Sequence, residues 1–172
     1  NLEIWQNGQV VVQGESAMLP AQMLDIQAEQ NVLDLCAAPG GKTIQMADLA
    51  PRATIYAGDI YEHRIELIKH ELERLHVENV QLRVHDATIP WPEPIKFDKI
   101  LIDAPCSALG LLGSKAELRY RWRANENLQN LIALQAKILE QGVVTLAPGG
   151  ELVYSTCTLN TQENEEQIFK IL

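Results

Sequence analysis

A repeating alternation of short apolar runs and helical stretches constrains this chain more than any other feature. Residues 31–36 (NVLDLC), 53–59 (ATIYAGD), 80–85, 97–104 (FDKILIDA) and 151–155 (ELVYS) read as strands. Near-continuous apolar runs of this kind suit strands buried on both faces of a parallel sheet. Between them, 42–49, 62–77 and 125–146 read as helices. Ile65, Ile68, Leu72 and Leu75 recur three or four apart, as do Leu128, Leu131, Ile132, Leu139 and Val143, which gives each helix one apolar stripe. Pro148-Gly149-Gly150 is expected to end the last helix. Ahead of this core (31–172), residues 1–30 read as a lead-in with a strand at 8–13 and a helix at 15–26, despite Pro20. Strands alternating with helices imply right-handed crossovers and an α/β, doubly wound, mainly parallel sheet.

At 172 residues with 47% hydrophobic composition, the chain holds material for one domain with a well-packed core. Its net charge of −9 argues against a self-sufficient, charge-driven nucleic-acid binder. No apolar run approaches the ~20 residues of a membrane span, and the first residues lack a signal-peptide core. Three cysteines without a C-x-x-C pair exclude a disulfide scaffold. The expectation is a soluble, cytoplasmic domain with no membrane partner.

Ligands of open α/β sheets bind beyond the carboxyl ends of the strands. In strand order those ends carry the loop 36–42, Asp59, Asp86, Asp103-Ala104-Pro105-Cys106 and Thr156-Cys157. Gly40 and Gly41 permit a tight strand-to-helix turn with close approach of a ligand to the backbone. Asp59 stands where such folds place a carboxylate for ribose hydroxyls. Asp86 either accepts from an adenine amine or caps the turn before Thr88. Gly41-Lys42-Thr43 resembles the end of a phosphate-binding loop, but that pattern requires glycine where Cys36 stands, and Pro39 removes a donor. Cys106 and Cys157 are either small buried hydrophobes or soft nucleophiles. A zinc site from the cysteines and His85 lacks ligand spacing, so no metal is expected.

DLCAAPGGKT (34–43), DAPCS (103–107) and YSTCTL (154–159), in this order, resemble the motifs of Sun-type RNA (cytosine-5) methyltransferases. QGESAMLP (13–20) and ENEEQI (163–168) are similar to the family's lead-in helix and to its segment after the last motif. The resemblance implies a Rossmann-like S-adenosylmethionine-dependent methyltransferase fold that acts on carbon 5 of a cytosine in RNA, ribosomal RNA foremost and transfer RNA second. It further implies that Cys36, Ala37, Ala38, Pro39, Gly40, Gly41 and Lys42 wrap the methionine part of the cofactor. Asp59 would hold the ribose with Arg64 nearby, and Asp86 the adenine side. Asp103 would sit between cofactor and target base. Cys157 would be the nucleophile, and Cys106 the thiol that assists product release.

Carbon 5 of cytosine is a poor nucleophile, so a thiolate must first add to carbon 6. A free thiol, with a pKa of ~8.5, is only a few per cent ionised at neutral pH. Lys42 is the candidate source of nearby positive charge, and Asp103 the group facing the ring nitrogen as charge builds. The chain departs from the family pattern at Ala108, where a glycine is usual, and in lacking an arginine-rich turn beyond it. Lys115, Arg119, Arg121 and Arg123, interleaved with Tyr120 and Trp122, form the candidate RNA patch. The family adds a pair of antiparallel strands beyond the segment that ends at Leu172, so the chain reads as a catalytic domain truncated at its C-terminus. Two other classes remain: another Rossmann-type methyltransferase, and a non-catalytic domain that binds RNA or cofactor.

Overall fold

The computed structural model describes residues 3–113 and 125–172. In chain order the elements are α1 (Glu3–Gln6), α2 (Glu15–Met23), β1 (Asn31–Asp34), α3 (Gly41–Leu49), β2 (Thr54–Asp59) and α4 (Glu62–Leu75). There follow β3 (Val80–Val84), β4 (Phe97–Asp103), a 3-10 turn at Leu109–Leu111, α5 (Asn125–Thr145), β5 (Leu146–Ser155), a second 3-10 turn at Thr161–Glu163 and α6 (Glu165–Phe169). Among the described residues the strands form one five-stranded sheet in the order β3-β2-β1-β4-β5, with every neighbouring pair parallel. The chain therefore winds outward from β1, then crosses back to lay β4 against β1's other side. A crevice opens where the winding reverses, between the loops that leave β1 and β4.

Burial follows the pleat. Val32 and Leu101 pack with Ala21 of α2, with Leu24 just after it, and with Met46 and Ala47 of α3. Their neighbours Leu33, Ile100 and Ile102 point the other way, onto Ile138 and Leu139 of α5. Successive residues of a strand face opposite sides, so β1 and β4 are apolar on both. On the outer part of the sheet Ile65, Ile68 and Leu72 of α4 close over Ala57 and Ile44. Full burial of each such aliphatic side chain contributes about 1.5–3 kcal/mol, which fixes the register of the central strands and hence their ends.

Three expectations are corrected. Residues 8–13 are not a strand but an irregular strap. Arg74 Nη1 donates to the carbonyls of Trp5 and Val10, and its guanidinium lies 3.7 Å from the Trp5 ring centre. Gly8 has φ +67°, and a Cβ there would lie 2.0 Å from the Arg74 carbonyl oxygen. The strap's polar groups are thus met by Arg74 at Val10, by α1 at Gly8 and Gln9, and by Ala17 and Gln45 at Gln13, instead of a sheet edge. The lead-in helix stops at Met23, because Asp25 takes a left-handed conformation with φ 44°. Pro148-Gly149-Gly150 lies inside β5, after the helix has already ended at Thr145. Leu146 faces Phe97 and Glu151 faces Lys99, so residues 147–150 bulge outward opposite Asp98. A Cβ on Gly150 would meet the Asp98 carbonyl oxygen at 2.9 Å, which explains a glycine at the neck of the bulge.

Candidate active site

Two adjoining cavities run along the carboxyl ends of the strands, of about 280 and 470 Å³. Both are lined by Cys36, Ala38 and Asp103, which makes them one groove. The loop 36–42 forms the partition. Ala37 N–H donates to the Gly58 carbonyl at 2.9 Å, and Gly40 N–H to that of Ala37 at 2.8 Å. Gly40 has φ +104°, and its missing side chain makes room for Ile68 beneath. The first turn of α3 consequently brings Gly41 and Lys42 to the smaller cavity. Backbone N–H groups of a first helical turn have no partner within the helix.

Asp34 lies on the smaller cavity's wall, fully buried. Its Oδ2 accepts from Thr43 Oγ1 at 2.7 Å, while its buried Oδ1 has no partner. Burial, opposed by the Thr43 hydrogen bond and reinforced by Asp103, pushes the Asp34 carboxyl up to about 7. The same burial, with the charges of Asp34, Asp59 and Asp103, drives the Cys36 thiol far upward. The Cys36 thiol is therefore kept protonated at neutral pH.

In the larger cavity, Asp59 Oδ1 accepts from Tyr61 N–H at 3.2 Å, and Oδ2 from Ala38 N–H at 3.4 Å. Arg64 comes within 3.7 Å of Asp59 and lies 5.0 Å over the Tyr61 ring. Asp86 Oδ1 caps its turn by accepting from Thr88 N–H and Oγ1, which holds its carboxyl below the usual range. Asp86 also lines the cavity, so the two readings of this residue are compatible. His85 is buried with its ring centre 4.8 Å from that of Trp91. Among the described residues no three His, Cys, Asp or Glu side chains are grouped to hold a metal ion.

Where the two cavities meet, Asp103 Oδ2 receives Lys42 Nζ at 2.5 Å and Oδ1 receives Ser155 Oγ at 2.8 Å. Beyond it the sulfurs of Cys106 and Cys157 stand 3.0 Å apart. That is too far for a disulfide and close enough for one proton to be shared. Cys157 is the exposed member, and its thiol is brought down to about 7. The main cause is the hydrogen bond from Cys106; burial and Asp103 oppose it, and the Lys42 charge helps to a lesser degree. Cys106 correspondingly moves up, held protonated by that same hydrogen bond and by burial. Lys42 was expected to be the thiol's activating charge. Its ammonium instead serves Asp103, and the second cysteine does the larger part of the activation.

The structure thus brings Asp103, Cys106 and Cys157 together and lays Asp59, Arg64 and Asp86 along the same groove. Lys115, Arg119, Arg121 and Arg123 lie outside the described residues. Sequence reasoning missed Asp34, Ser155, Gln135 and Glu163. Ser155 becomes visible only through the pairing of β4 with β5, and Glu163 reads in sequence as one acid of a solvated run.

A parallel sheet of this order, with a cofactor-sized groove at the strand ends, defines the Rossmann-like methyltransferase class. It superposes on an S-adenosylmethionine-dependent O-methyltransferase of Thermotoga maritima with a TM-score of 0.68 at 16% identity, which speaks for the fold alone. The model of the 16S rRNA methyltransferase RsmB/F family matches residues 21–172, and the chain belongs to that family. It is 38% identical over 170 residues to the probable ribosomal RNA small subunit methyltransferase B of Bacillus subtilis, covering 95% of this chain and 37% of that protein. Against ribosomal RNA small subunit methyltransferase B of Yersinia pseudotuberculosis it is 41% identical, covering 96% and 38%. The chain therefore spans less than half the length of these relatives. NSun6 of Pyrococcus horikoshii, solved with the S-adenosylmethionine analogue SFG, superposes with a TM-score of 0.90 at 34% identity, over 99% of this chain and 44% of that one. A methyltransferase homologue from the same organism gives 0.86 at 37%, over 97% and 52%.

Proposed function

We propose that this chain is the catalytic domain of an S-adenosylmethionine-dependent RNA (cytosine-5) methyltransferase, with ribosomal RNA as substrate. The observation that carries the reading is the pair of sulfurs 3.0 Å apart beside the Lys42–Asp103 ion pair. The relatives named as ribosomal RNA methyltransferases support the substrate class. Among the described residues no helix is long and apolar enough to cross a membrane. Free thiols are a requirement of the chemistry, which favours a reducing compartment such as the cytoplasm.

The groove suits the cofactor. Asp34 Oδ1, buried without a partner, fits a cationic amine at the methionine end, where the first amides of α3 fit its carboxylate. Asp59 and Arg64 fit the ribose, and Asp86 the adenine edge. When bound, S-adenosylmethionine supplies an electrophilic methyl group for carbon 5.

Cys157, with a pKa near neutrality, is substantially ionised at pH 7 and adds to carbon 6 of the cytosine. Electron density then moves through the ring toward carbon 5 and the ring nitrogen. The Lys42–Asp103 pair faces that nitrogen and supplies the proton and the hydrogen bond that hold the charge there. Once Cys157 is bonded to carbon 6 it no longer shares the Cys106 proton, which passes to solvent. The Cys106 thiolate then accepts the carbon-5 proton after methylation, the bond between carbon 6 and Cys157 breaks, and the ring nitrogen returns its proton to the Lys42–Asp103 pair. The backbone N–H of Cys157, 3.2 Å from the Cys106 sulfur, favours its anionic form at that stage.

The test separates the thiols. Cys157→Ala abolishes turnover and every covalent protein–RNA link. Cys106→Ala still attacks and methylates but is stranded on the product, giving a complex that survives denaturing electrophoresis. An adduct with Cys157→Ala and none with Cys106→Ala would reverse the roles. No adduct in either variant, with both still active, would defeat the covalent reading.

A further inference from the structure

Glu163 is fully buried in the turn that follows β5, and among the described residues no cation bridges it. A buried carboxylate is costly unless its lone pairs are met. Here four donors meet them. Oε2 accepts from Ser107 N–H at 2.8 Å and from Gln135 Nε2 at 3.0 Å, while Oε1 accepts from Ser107 Oγ at 2.5 Å and Asn160 Nδ2 at 3.3 Å. The donors come from the loop after β4, from α5 and from the turn after β5. Gln135 Nε2 also donates to the Pro105 carbonyl at 2.9 Å, so the residues flanking Cys106 are gripped on both sides.

A hydroxyl carries one proton. Ser107 Oγ spends its proton on Glu163, so in its 2.8 Å contact with Thr158 the threonine must donate. Ser107 and Thr158 directly follow Cys106 and Cys157, and both pairs are 51 residues apart in sequence. They are consecutive rungs between the same two loops. Fixing one rung fixes the spacing of the next.

We propose that Glu163 is a positioning residue for the thiol pair, setting the Cys106–Cys157 separation through the Ser107–Thr158 rung. The proposal rests on the reading of Cys157 as nucleophile and adds what holds it poised. Glu163→Gln introduces an amide whose protons oppose those of Ser107 or Gln135. The rung loosens, the sulfurs separate, and Cys157 loses the hydrogen bond that lowers its pKa.

The measurement is the rate of iodoacetamide alkylation at Cys157 against pH, read by peptide mass spectrometry. Cys106, Asp103 and Lys42 are the groups that face Cys157, and Glu163→Gln alters none of them. The wild-type midpoint should lie near neutrality, with Cys106→Ala as the reference for a broken pair. In Glu163→Gln the midpoint should move up toward the ordinary ~8.5, slowing alkylation at pH 7 about tenfold. S-adenosylmethionine affinity by calorimetry should hold, and methylation should lose kcat more than KM. Should Glu163→Gln fail to fold, Ser107→Ala keeps the carboxylate, removes the rung and should shift the midpoint in the same direction. A folded variant of either kind with the wild-type profile overturns the proposal but leaves the active-site reading intact. If Cys157→Ala still methylates RNA, the site reading falls, while the alkylation profile continues to judge Glu163.

Discussion

Ser155 Oγ donates to Asp103 Oδ1 at 2.8 Å, and the two residues face each other at the last register position shared by β4 and β5. With Lys42 Nζ on the other oxygen, the Asp103 carboxylate at the end of β4 is fixed by groups from two other elements, α3 and β5. Its orientation is thus a property of sheet register as much as of the local loop.

Ser155→Ala should test that orientation. Loss of a hydrogen bond to a charged group is worth about 1.5–3 kcal/mol, so kcat for RNA methylation should fall roughly 10- to 100-fold. Thermal stability should fall by no more than the same ~1.5–3 kcal/mol, leaving the protein folded. Wild-type kcat in a folded Ser155→Ala protein would show that Asp103 needs no such restraint.

The buried Asp34 makes stability depend on pH in a specific window. Its folded pKa, about 7, lies above the ordinary carboxylate value of 3.8, so the folded state binds the proton more tightly. The stability this confers is complete below 3.8 and is lost as pH rises through 7. Asparagine does not titrate there. Without cofactor, Asp34→Asn should match the wild type near pH 4 and exceed it at pH 7.5 by on the order of 2–4 kcal/mol. A constant difference across this range in denaturant melts would contradict the assignment.

Ala108 and Gly110 lie in the loop that carries Cys106, and they should respond in opposite ways. Ala108 holds a left-handed conformation with φ 58°, which costs a non-glycine residue roughly 1 kcal/mol or more. Ala108→Gly removes that strain at some loss of chain entropy, and should leave stability equal or raise it by up to ~1 kcal/mol. At Gly110 a Cβ would lie 2.9 Å from the Cys157 carbonyl oxygen, which accepts from Gly110 N–H. Gly110→Ala should therefore displace Cys157 and slow its alkylation. Equal thiol reactivity in both variants would argue against this docking.

Asp59→Ala should weaken S-adenosylmethionine binding by roughly 1.5–3 kcal/mol in calorimetry. Arg64→Ala should cost less, since its ion pair with Asp59 is 3.7 Å long and half exposed. The reverse order of effects would move the ribose away from Asp59.

The central strands were legible because burial on both faces leaves nearly continuous apolar runs, as in 97–104. The strand at 8–13 was misread because its valines pair with no strand: Val11 and Val12 are exposed, and Val10 and Val11 line a separate cavity with Ile44 of α3 and Leu75 of α4. Pro148-Gly149-Gly150 carries turn chemistry, which fits a bulge as well as a helix end; only the pairing with Phe97 and Lys99 tells them apart. At the site, the residues in motifs were visible, since Asp59, Asp103, Cys106 and Cys157 all stand at strand ends. The carboxylates whose meaning depends on burial were not. Nothing in ENEEQI marks Glu163 as the acid that turns inward, and Asp34 gives no hint in sequence of its missing partner.

The strap at 8–13 gives the groove walls of unequal standing. Three sides of the smaller cavity are strand ends, the loop 36–42 and α3, whose loosening would disturb the sheet. The remaining side includes Val12, Gln13 and Gly14, tied down by side-chain contacts such as Gln13 Nε2 to the Ala17 carbonyl at 3.0 Å. Segments held in this way open at far lower free energy than core strands. Exchange of a small molecule through that side is then decoupled from unfolding. On the proposed reading, a cofactor held there can leave and return on that side while the thiols across the groove keep their spacing.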